Sequence, residues 1–190
     1  VRLHGKEVSF GSAGQAVRNR VGLLPEDRKH QGVLLDLSIR ENALMTPVNP
    51  FISTLGWIDK SGERRKVEEL WEGLRLKASN QSAPVSSLSG GNQQKVALMK
   101  WLVANCDVLF LDEPTRGVDV GAKVEIYRVI NELAERGVAI VIVSSEMIEL
   151  IGMCDRVAVM RAGRVIGTLQ GTDMTENNII ELAMGRDNVH

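Results

Sequence analysis

In the second half of the chain, short apolar runs alternate with longer amphipathic stretches. The runs are typical of buried strands and lie at residues 107–112, 138–143 and 156–160. Between the first two runs, Ile126, Ile130 and Leu133 recur at helical spacing and form one apolar stripe. Together with a helical stretch at 92–104, this order of helix, strand, helix, strand, helix and strand predicts a mainly parallel sheet covered by helices. The predicted fold class is therefore α/β.

The first residues of the chain have a more irregular pattern. Residues 1–10 indicate a strand, a turn and a second strand, and residues 13–19 indicate a short helix. A buried strand at 21–24 ends before Pro25, because proline cannot continue a central strand. The charged residues 26–31 that follow are predicted to form a loop.

Residues 33–83 carry helical patterns. Ser38 and Glu41 have the three-residue spacing of a capping box, which predicts a helix start. A second helix is predicted at 61–74, with an apolar face opposite a charged, solvated one. The residues on the apolar face are Val67, Leu70, Trp71 and Leu74.

The composition narrows the class of protein. A chain of 190 residues with 44% hydrophobic residues and a formal charge of −1 is typical of one soluble globular domain. Without a basic excess, general nucleic-acid binding has no support. No apolar run approaches the length of a membrane span, and no secretory signal opens the chain. Cys106 and Cys154 are predicted to be reduced core thiols rather than a disulfide or a metal site.

Candidate chemistry begins at Ser89, where two glycines follow a serine and open the predicted helix that ends near Ala104. Ser89 suits the N-cap position, and small residues allow another molecule to approach the first turn. The unpaired N–H groups and the helix dipole at such a terminus favour an anion. A simple helix cap is the alternative interpretation.

A pair of adjacent carboxylates, Asp112 and Glu113, follows the apolar run at 107–112. An α/β sheet presents ligand-binding groups at the carboxyl ends of its strands. The pair could instead serve only as helix-capping or ion-pairing groups. An anion site and a metal-facing acid pair together suggest nucleoside triphosphate chemistry.

These segments resemble the ATPase subunits of ABC transporters. The run LSGGN at residues 88–92 is similar to the family signature, and residues 108–113 are similar to its Walker B strand. Asp119 lies where the family has its D-loop aspartate, although a plain turn aspartate is the alternative. Together with residues 25–29 and 117–123, these segments resemble the second, C-terminal ATPase half of bacterial monosaccharide importers of the ribose, galactose and xylose type.

The resemblance implies a P-loop NTPase fold of the ABC type and one domain over residues 1–190. Within it we expect a small antiparallel β part and Q-loop region at 1–32. A helical subdomain ending in the signature helix is expected at 33–100, and the Walker B core with the C-terminal strands and helix at 101–190. The phosphate-binding pattern Gly-x-x-x-x-Gly-Lys-Ser/Thr is absent from the sequence. We therefore expect a truncated domain, whose first strand and phosphate loop precede Val1.

Two positions depart from the family pattern. Glu26 stands where the family has a glutamine, and its charge would repel phosphates unless a cation, such as Arg28 or Lys29, compensates it. Ser145 stands where the family has a histidine, and it could also be the N-cap of the next helix. The resemblance then implies Glu113 and Ser145 as catalytic residues and Asp112 as the metal ligand. The implied nucleotide-binding residues are Ser89, Gly90, Gly91, Asn92, Asp119 and Glu26.

The implied function belongs to a larger protein. Its cofactors are ATP and Mg²⁺, and it powers sugar import from the cytoplasmic face of the bacterial inner membrane. The implied partners are an N-terminal ATPase half, membrane permease subunits and, indirectly, a periplasmic sugar-binding protein, with no nucleic acid. This chain alone is expected to be inactive. Two alternatives are a non-hydrolysing scaffold half and a soluble ABC protein of translation or DNA repair.

Overall fold

The computed structural model describes residues 2–46, 49–53 and 55–185. The chain divides into two compact units, residues 1–143 and residues 144–190. Each unit has its own secondary structure and is described by itself. Within the described ranges, no helix is both long enough and apolar enough to cross a membrane.

A three-stranded parallel sheet forms the centre of the first unit. Its strands are β3 (Val21–Leu24), β4 (Val108–Asp112) and β5 (Ala139–Val143), in the order β3-β4-β5. Helix α5 (Val120–Glu135) connects β4 to β5, as parallel strands require a crossover. The parallel arrangement predicted from the apolar runs is confirmed for β4 and β5, and β3, predicted only as a buried strand, joins the same sheet.

The two faces of this sheet differ in exposure. Leu24, Leu109 and Leu111 are buried on one face. On the other face Leu23, Phe110 and Val141 stand side by side in register and are 52%, 38% and 43% exposed. Parallel strands carry apolar residues on both faces because both are normally covered. The described part of the first unit covers only one of them.

Helix α4 (Gly90–Ala104) is buried along most of its length, from Gly91 to Met99. A helix that is buried all round belongs to the core rather than to the surface. It ends at Asn105, whose left-handed conformation terminates the helix. The predicted end near Ala104 is confirmed.

The helical region that precedes α4 contains α2 (Ile39–Leu44), α3 (Lys60–Gly73) and a 3₁₀ turn at Val85–Ser87. The capping box of α2 is confirmed, because the Glu41 carboxylate accepts from the Ser38 N–H at 2.9 Å while the Glu41 N–H donates to Ser38 Oγ at 3.2 Å. Asp59 caps α3. Val67 and Leu74 are buried, as the apolar face of the predicted helix requires.

Short elements begin the chain. Strands β1 (Arg2–Leu3) and β2 (Lys6–Glu7) pair antiparallel, and α1 (Ala13–Arg18) begins after the Ser12 cap. The predicted strand, turn, strand and short helix are confirmed.

The second unit contains α6 (Met147–Met153), β6 (Arg156–Arg161), β7 (Arg164–Gln170) and α7 (Glu176–Met184). The run at 156–160 was expected in the parallel sheet, and this expectation is wrong: within the described residues, β6 pairs only with β7, antiparallel. The reason is the tight turn Ala162-Gly163, where both residues have positive φ, as in two-residue hairpins. Val157, Val159 and Ile179 form the buried core of this unit.

Candidate functional site

The carboxylate pair lies where strand β4 leaves the sheet. Asp112 is the last residue of β4 and pairs in register with Val143 of β5. The Glu113 N–H still donates to the Val143 carbonyl at 2.8 Å, but its φ of 48° is left-handed. For a residue with a side chain this backbone conformation is uncommon, and it clusters at functional sites. Both carboxylates are half-buried at the carboxyl edge of the sheet.

A compact turn follows the carboxylates. Thr115 is buried, the Arg116 N–H donates to the Glu113 carbonyl at 3.1 Å, and the Val118 N–H donates to the Thr115 carbonyl at 3.2 Å. The turn ends at Asp119, which is the N-cap of α5: its Oδ1 accepts from the Ala122 N–H at 3.0 Å. Asp119 is therefore more than a plain turn residue, because it caps a long helix.

The serine of the signature segment occupies the N-cap position of α4, as predicted, but its hydroxyl does not cap the backbone. Ser89 Oγ instead accepts from Asn92 Nδ2 at 3.0 Å, and Asn92 Oδ1 accepts from the Lys77 N–H at 3.0 Å. Asn92 is buried, whereas Ser89 is exposed. The exposed Ser89 hydroxyl thus forms no hydrogen bond with the first N–H groups of α4.

Gly91 of the signature segment is required by packing within this chain. A Cβ on Gly91 would lie 2.7 Å from Ala122 Cβ and 3.5 Å from Asp119 Oδ2. The first turn of α4 therefore touches the first turn of α5, and the structure brings the signature segment and Asp119 together. The sequence predicted small residues here for the approach of another molecule, and the intramolecular contact is a second reason for them.

Glu26 lies in the loop after β3, and its carboxylate pairs with the guanidinium of Arg116. The sequence indicated that a cation, or the following Arg28 and Lys29, could compensate the charge of Glu26, and Arg116 is such a cation. Arg28 Nη1 donates to the Arg116 carbonyl at 2.8 Å. Arg116 could not be selected from the sequence, because its partner Glu26 is distant along the chain.

Residues 26–31 were predicted to form a loop, but the structure forms a loop over only part of this stretch. Residues Arg28–Gly32 form a single π-helical turn, and the Asp27 carboxylate caps it by accepting from the N–H groups of Lys29 at 3.1 Å and His30 at 3.2 Å. The His30 ring also lies 2.7 Å from Asp27. Hydrogen bonds from His30 lower the pKa of Asp27 below its ordinary value. The loop prediction missed this turn because a single capped turn has no hydrophobic period.

Ser145 belongs to the second unit, where it is exposed between β5 and α6. The alternative that Ser145 is the N-cap of the next helix is wrong, because Glu146 occupies the N-cap position of α6. The Glu146 N–H donates to Ser144 Oγ at 3.0 Å, and the Ser144 hydroxyl also contacts the Glu149 carboxylate. Ser144 thus joins the start of α6 to the Glu149 side chain.

Metal-binding and thiol chemistry have limited support in the described part of the chain. It contains no group of three or more His, Cys, Asp or Glu residues that could hold a metal ion by themselves. Cys106 and Cys154 are free thiols. Burial raises the pKa of both, that of Cys106 to about 11, so neither is a reactive thiolate.

Comparison with known proteins identifies the family. The profile described as "ABC transporter" matches residues 1–116. The chain belongs to the ABC transporter family. It is 55% identical over 186 residues to a putative ribose/galactose/methyl galactoside import ATP-binding protein 1 of Rhizobium meliloti, covering 98% of this chain and 37% of the relative. It is 45% identical over 185 residues to the ribose import ATP-binding protein RbsA of Lactococcus lactis, covering 97% of this chain and 37% of that protein. The chain thus spans little more than a third of the length of these relatives.

Solved structures of ATP-binding cassettes have the same fold as this chain. A nucleotide-free ATP-binding cassette from an ABC transporter matches with a TM-score of 0.75 at 22% identity, over 95% of this chain and 74% of that chain. The ADP conformation of an ATP-binding cassette of an ABC transporter matches with a TM-score of 0.74 at 22% identity, over 96% of this chain and 75% of that chain. The predicted ABC-type α/β fold is confirmed.

Proposed function

We propose that this chain is part of an ATPase that powers monosaccharide import, and that it contributes the signature segment to a composite ATP site. The observation that carries the proposal is the exposed Ser89 at the open N-terminus of α4, in a chain similar to import ATP-binding proteins over nearly its whole length. A helix N-terminus attracts phosphate through its N–H groups and its dipole. Ser89 adds an exposed hydroxyl donor, and Gly91 allows the first turn of α4 to pack against α5.

The chemistry proposed for the carboxylate edge is positional and electrostatic. Glu113 would accept a hydrogen bond from the attacking water, held in place by its constrained turn. Asp112 would hold Mg²⁺, which supplies charge neutralisation for the phosphates; a single carboxylate fits this ion, because Mg²⁺ takes most of its other ligands from phosphates and water. Asp119 and the remaining signature residues, Gly90 and Asn92, would shape the composite site at the start of α4, where Gly91 packs beside Asp119. Ser145 would donate a hydrogen bond to the terminal phosphate.

The phosphate loop of the composite site would come from a second ATPase half, since this sequence has no such pattern. An N-terminal ATPase half of the same polypeptide is the partner proposed for this purpose. Membrane permease subunits and, through them, a periplasmic sugar-binding protein would complete the importer. The chain would then lie at the cytoplasmic face of the bacterial inner membrane.

The surface proposed to meet a permease subunit lies within residues 33–58. In this range Leu34, Ile52 and Trp57 are exposed, whereas Leu35, Leu37 and Phe51 are half-buried. Pro47, Val48 and Thr54 lie outside the described residues. Exposed apolar side chains in one segment are typical of a protein contact. Cysteine crosslinking from positions within 46–53 tests the contact, and labels that never reach the permease would contradict it.

A non-hydrolysing scaffold half is a second candidate. The ion pair between Glu26 and Arg116 favours it, because a carboxylate held by a protein cation replaces the glutamine of the family pattern. Substitution of Asp112 and Glu113 by residues without a carboxylate, in the complete transporter, distinguishes a hydrolysing half from a scaffold half. Unchanged ATP turnover would indicate a scaffold.

Uptake of labelled ribose or galactose into energised membrane vesicles tests the proposed function. In the complete transporter, Ser89→Arg should abolish most ATP hydrolysis and uptake by filling the anion site with bulk. Ser86→Arg is the matched control, because Ser86 is also exposed, lies just before α4 and has no proposed role. Equal activity of the two variants would show that Ser89 does not line the ATP site.

A further inference from the structure

We propose that Arg28 is a positioning residue that fixes the first turn of α4 against the turn after β4. The catalytic consequence rests on the function proposed above, whereas the positioning itself is a property of this chain. The inference arises from three segments that are distant in sequence and meet around one guanidinium group: the loop after β3, the turn at Arg116-Gly117 and the start of α4.

The contacts of Arg28 reach two of these segments at once. Its Nη1 donates to the Arg116 carbonyl at 2.8 Å. A Cβ on Gly90 would lie 2.6 Å from Arg28 Nη2 and 3.1 Å from the Gly117 carbonyl oxygen. Gly90 therefore lies against both the guanidinium and the turn, and a side chain at this position would displace the guanidinium and crowd the turn.

An arginine suits this position for geometric reasons. Its guanidinium is planar and carries donors on two edges, so it can fill a flat gap between two backbone segments while it hydrogen-bonds to one of them. Arg28 is half-buried, and its Nε is buried without a hydrogen-bond partner in the described residues. The side chain is consequently held by the hydrogen bond of Nη1, while Nη2 lies against Gly90. A lysine would keep the charge but would lose the flat, two-edged contact.

A second interaction also holds the turn at Arg116-Gly117 in place. The Glu26 carboxylate pairs with the Arg116 side chain, while Arg28 binds the Arg116 backbone. The loop after β3 therefore binds Arg116 twice, once through its side chain and once through its backbone carbonyl. The turn cannot shift along the loop without breaking both interactions.

This arrangement predicts a specific kinetic effect. Arg28 touches Gly90, next to Ser89 and Gly91, which the proposed function places on the phosphates. Small displacements of groups that orient a reacting phosphate reduce the rate strongly, even when they act far from the chemistry. Loss of Arg28 should therefore lower kcat for ATP and leave KM nearly unchanged, because the phosphate loop of the partner half supplies most ground-state binding.

The test compares Arg28→Lys, Arg28→Met and the control Lys29→Met in the complete transporter. Lys29 is the adjacent, exposed cation, so its loss removes an equal charge at the same loop. We expect kcat to fall about tenfold for both Arg28 variants, with KM within about twofold of wild type. Lys29→Met should match the wild type. Hydrogen exchange in the same samples should show faster exchange of the amides at 90–93 and 117–119 in the Arg28 variants, and unchanged exchange in α3.

Several results would overturn the inference. Full activity of Arg28→Lys would show that charge alone matters, and equal losses in Arg28→Met and Lys29→Met would show a general electrostatic effect. Faster exchange throughout the first unit would show a loss of stability instead of a loss of position. Failure of the proposed function has a different signature: the wild type would have no ATP turnover, while the local exchange pattern would still decide whether Arg28 positions α4.

Discussion

The ammonium group of Lys95 on α4 contacts the carboxylate of Glu125 on α5, and the Lys95 side chain is only 2% exposed. Lys95 Nζ also donates to the Arg75 carbonyl at 3.2 Å, just beyond the end of α3. The pair therefore joins three helical segments around the signature helix. A buried ammonium group requires such partners, because its transfer from water is otherwise very unfavourable.

Removal of the charge of Glu125 should destabilise the protein. Glu125→Gln leaves Lys95 buried without a counter-charge, and breaking a buried pair on one side costs about 3 kcal/mol of unfolding free energy. Urea unfolding followed by circular dichroism measures the change. The matched control is Glu132→Gln on the same helix, whose exposed pair with Arg128 should contribute less than about 0.5 kcal/mol. Equal effects of the two substitutions would contradict a special role of the buried pair.

The contribution of Glu125 should depend on pH. The hydrogen bond from Lys95 is the main reason why the pKa of Glu125 lies below its ordinary value of 4.5. The folded state therefore favours the carboxylate, so the stabilisation is present above the unfolded pKa and is lost as pH falls through the lower folded pKa. The stability difference between wild type and Glu125→Gln should be constant above about pH 6 and should shrink below about pH 4. A difference that grows on acidification would rule out this linkage.

The glycine in strand β3 should tolerate no side chain. A Cβ on Gly22 would lie 2.7 Å from Trp101 Cε3, 2.9 Å from Cys106 Sγ and 3.1 Å from Leu109 Cδ1. Gly22→Ala should therefore overpack the core and lower the unfolding free energy by about 2 kcal/mol. Gly73→Ala is the control, because a Cβ there meets open space and alanine favours a helix. Thermal melts of both variants test the prediction, which fails if Gly22→Ala melts at the wild-type temperature.

The two ATP sites of the proposed transporter should differ in their dependence on a glutamate. Glu26 and Ser145 replace the glutamine and histidine of the family pattern, so this half is less well equipped to run its own site. Glu113→Gln should lower ATP turnover by less than about tenfold, whereas the same change at the equivalent glutamate of the other half should cost about a hundredfold. Turnover in vesicles that contain the complete transporter measures both. Equal damage would mean that both sites hydrolyse ATP.

The 190-residue chain alone should bind ATP weakly. Without the phosphate-loop pattern, it lacks most of the backbone donors that hold the phosphates in this fold class. Calorimetry with magnesium-ATP should give a dissociation constant above about 1 mM. A micromolar value for the isolated chain would falsify this prediction.

The sequence determined the features that depend on neighbours within a few residues. The apolar runs at 21–24 and 107–112 became strands β3 and β4, and the spacing of Ser38 and Glu41 became a capping box. The end of β4 delivered Asp112 and Glu113 to the edge of the sheet. These features are readable because side-chain period, capping and strand ends are properties of local backbone geometry.

Only the tertiary structure decided which distant residues meet. It paired Glu26 with Arg116 instead of its neighbours, placed Gly91 against Ala122, and turned the amide of Asn92 onto the hydroxyl of Ser89. It also gave β6 an antiparallel partner, although its apolar pattern was that of the strands in the parallel sheet. An apolar pattern shows that a residue is buried but carries no information about its partner. The partner depends on the path of the chain through the whole fold, which brings together groups that no local spacing connects.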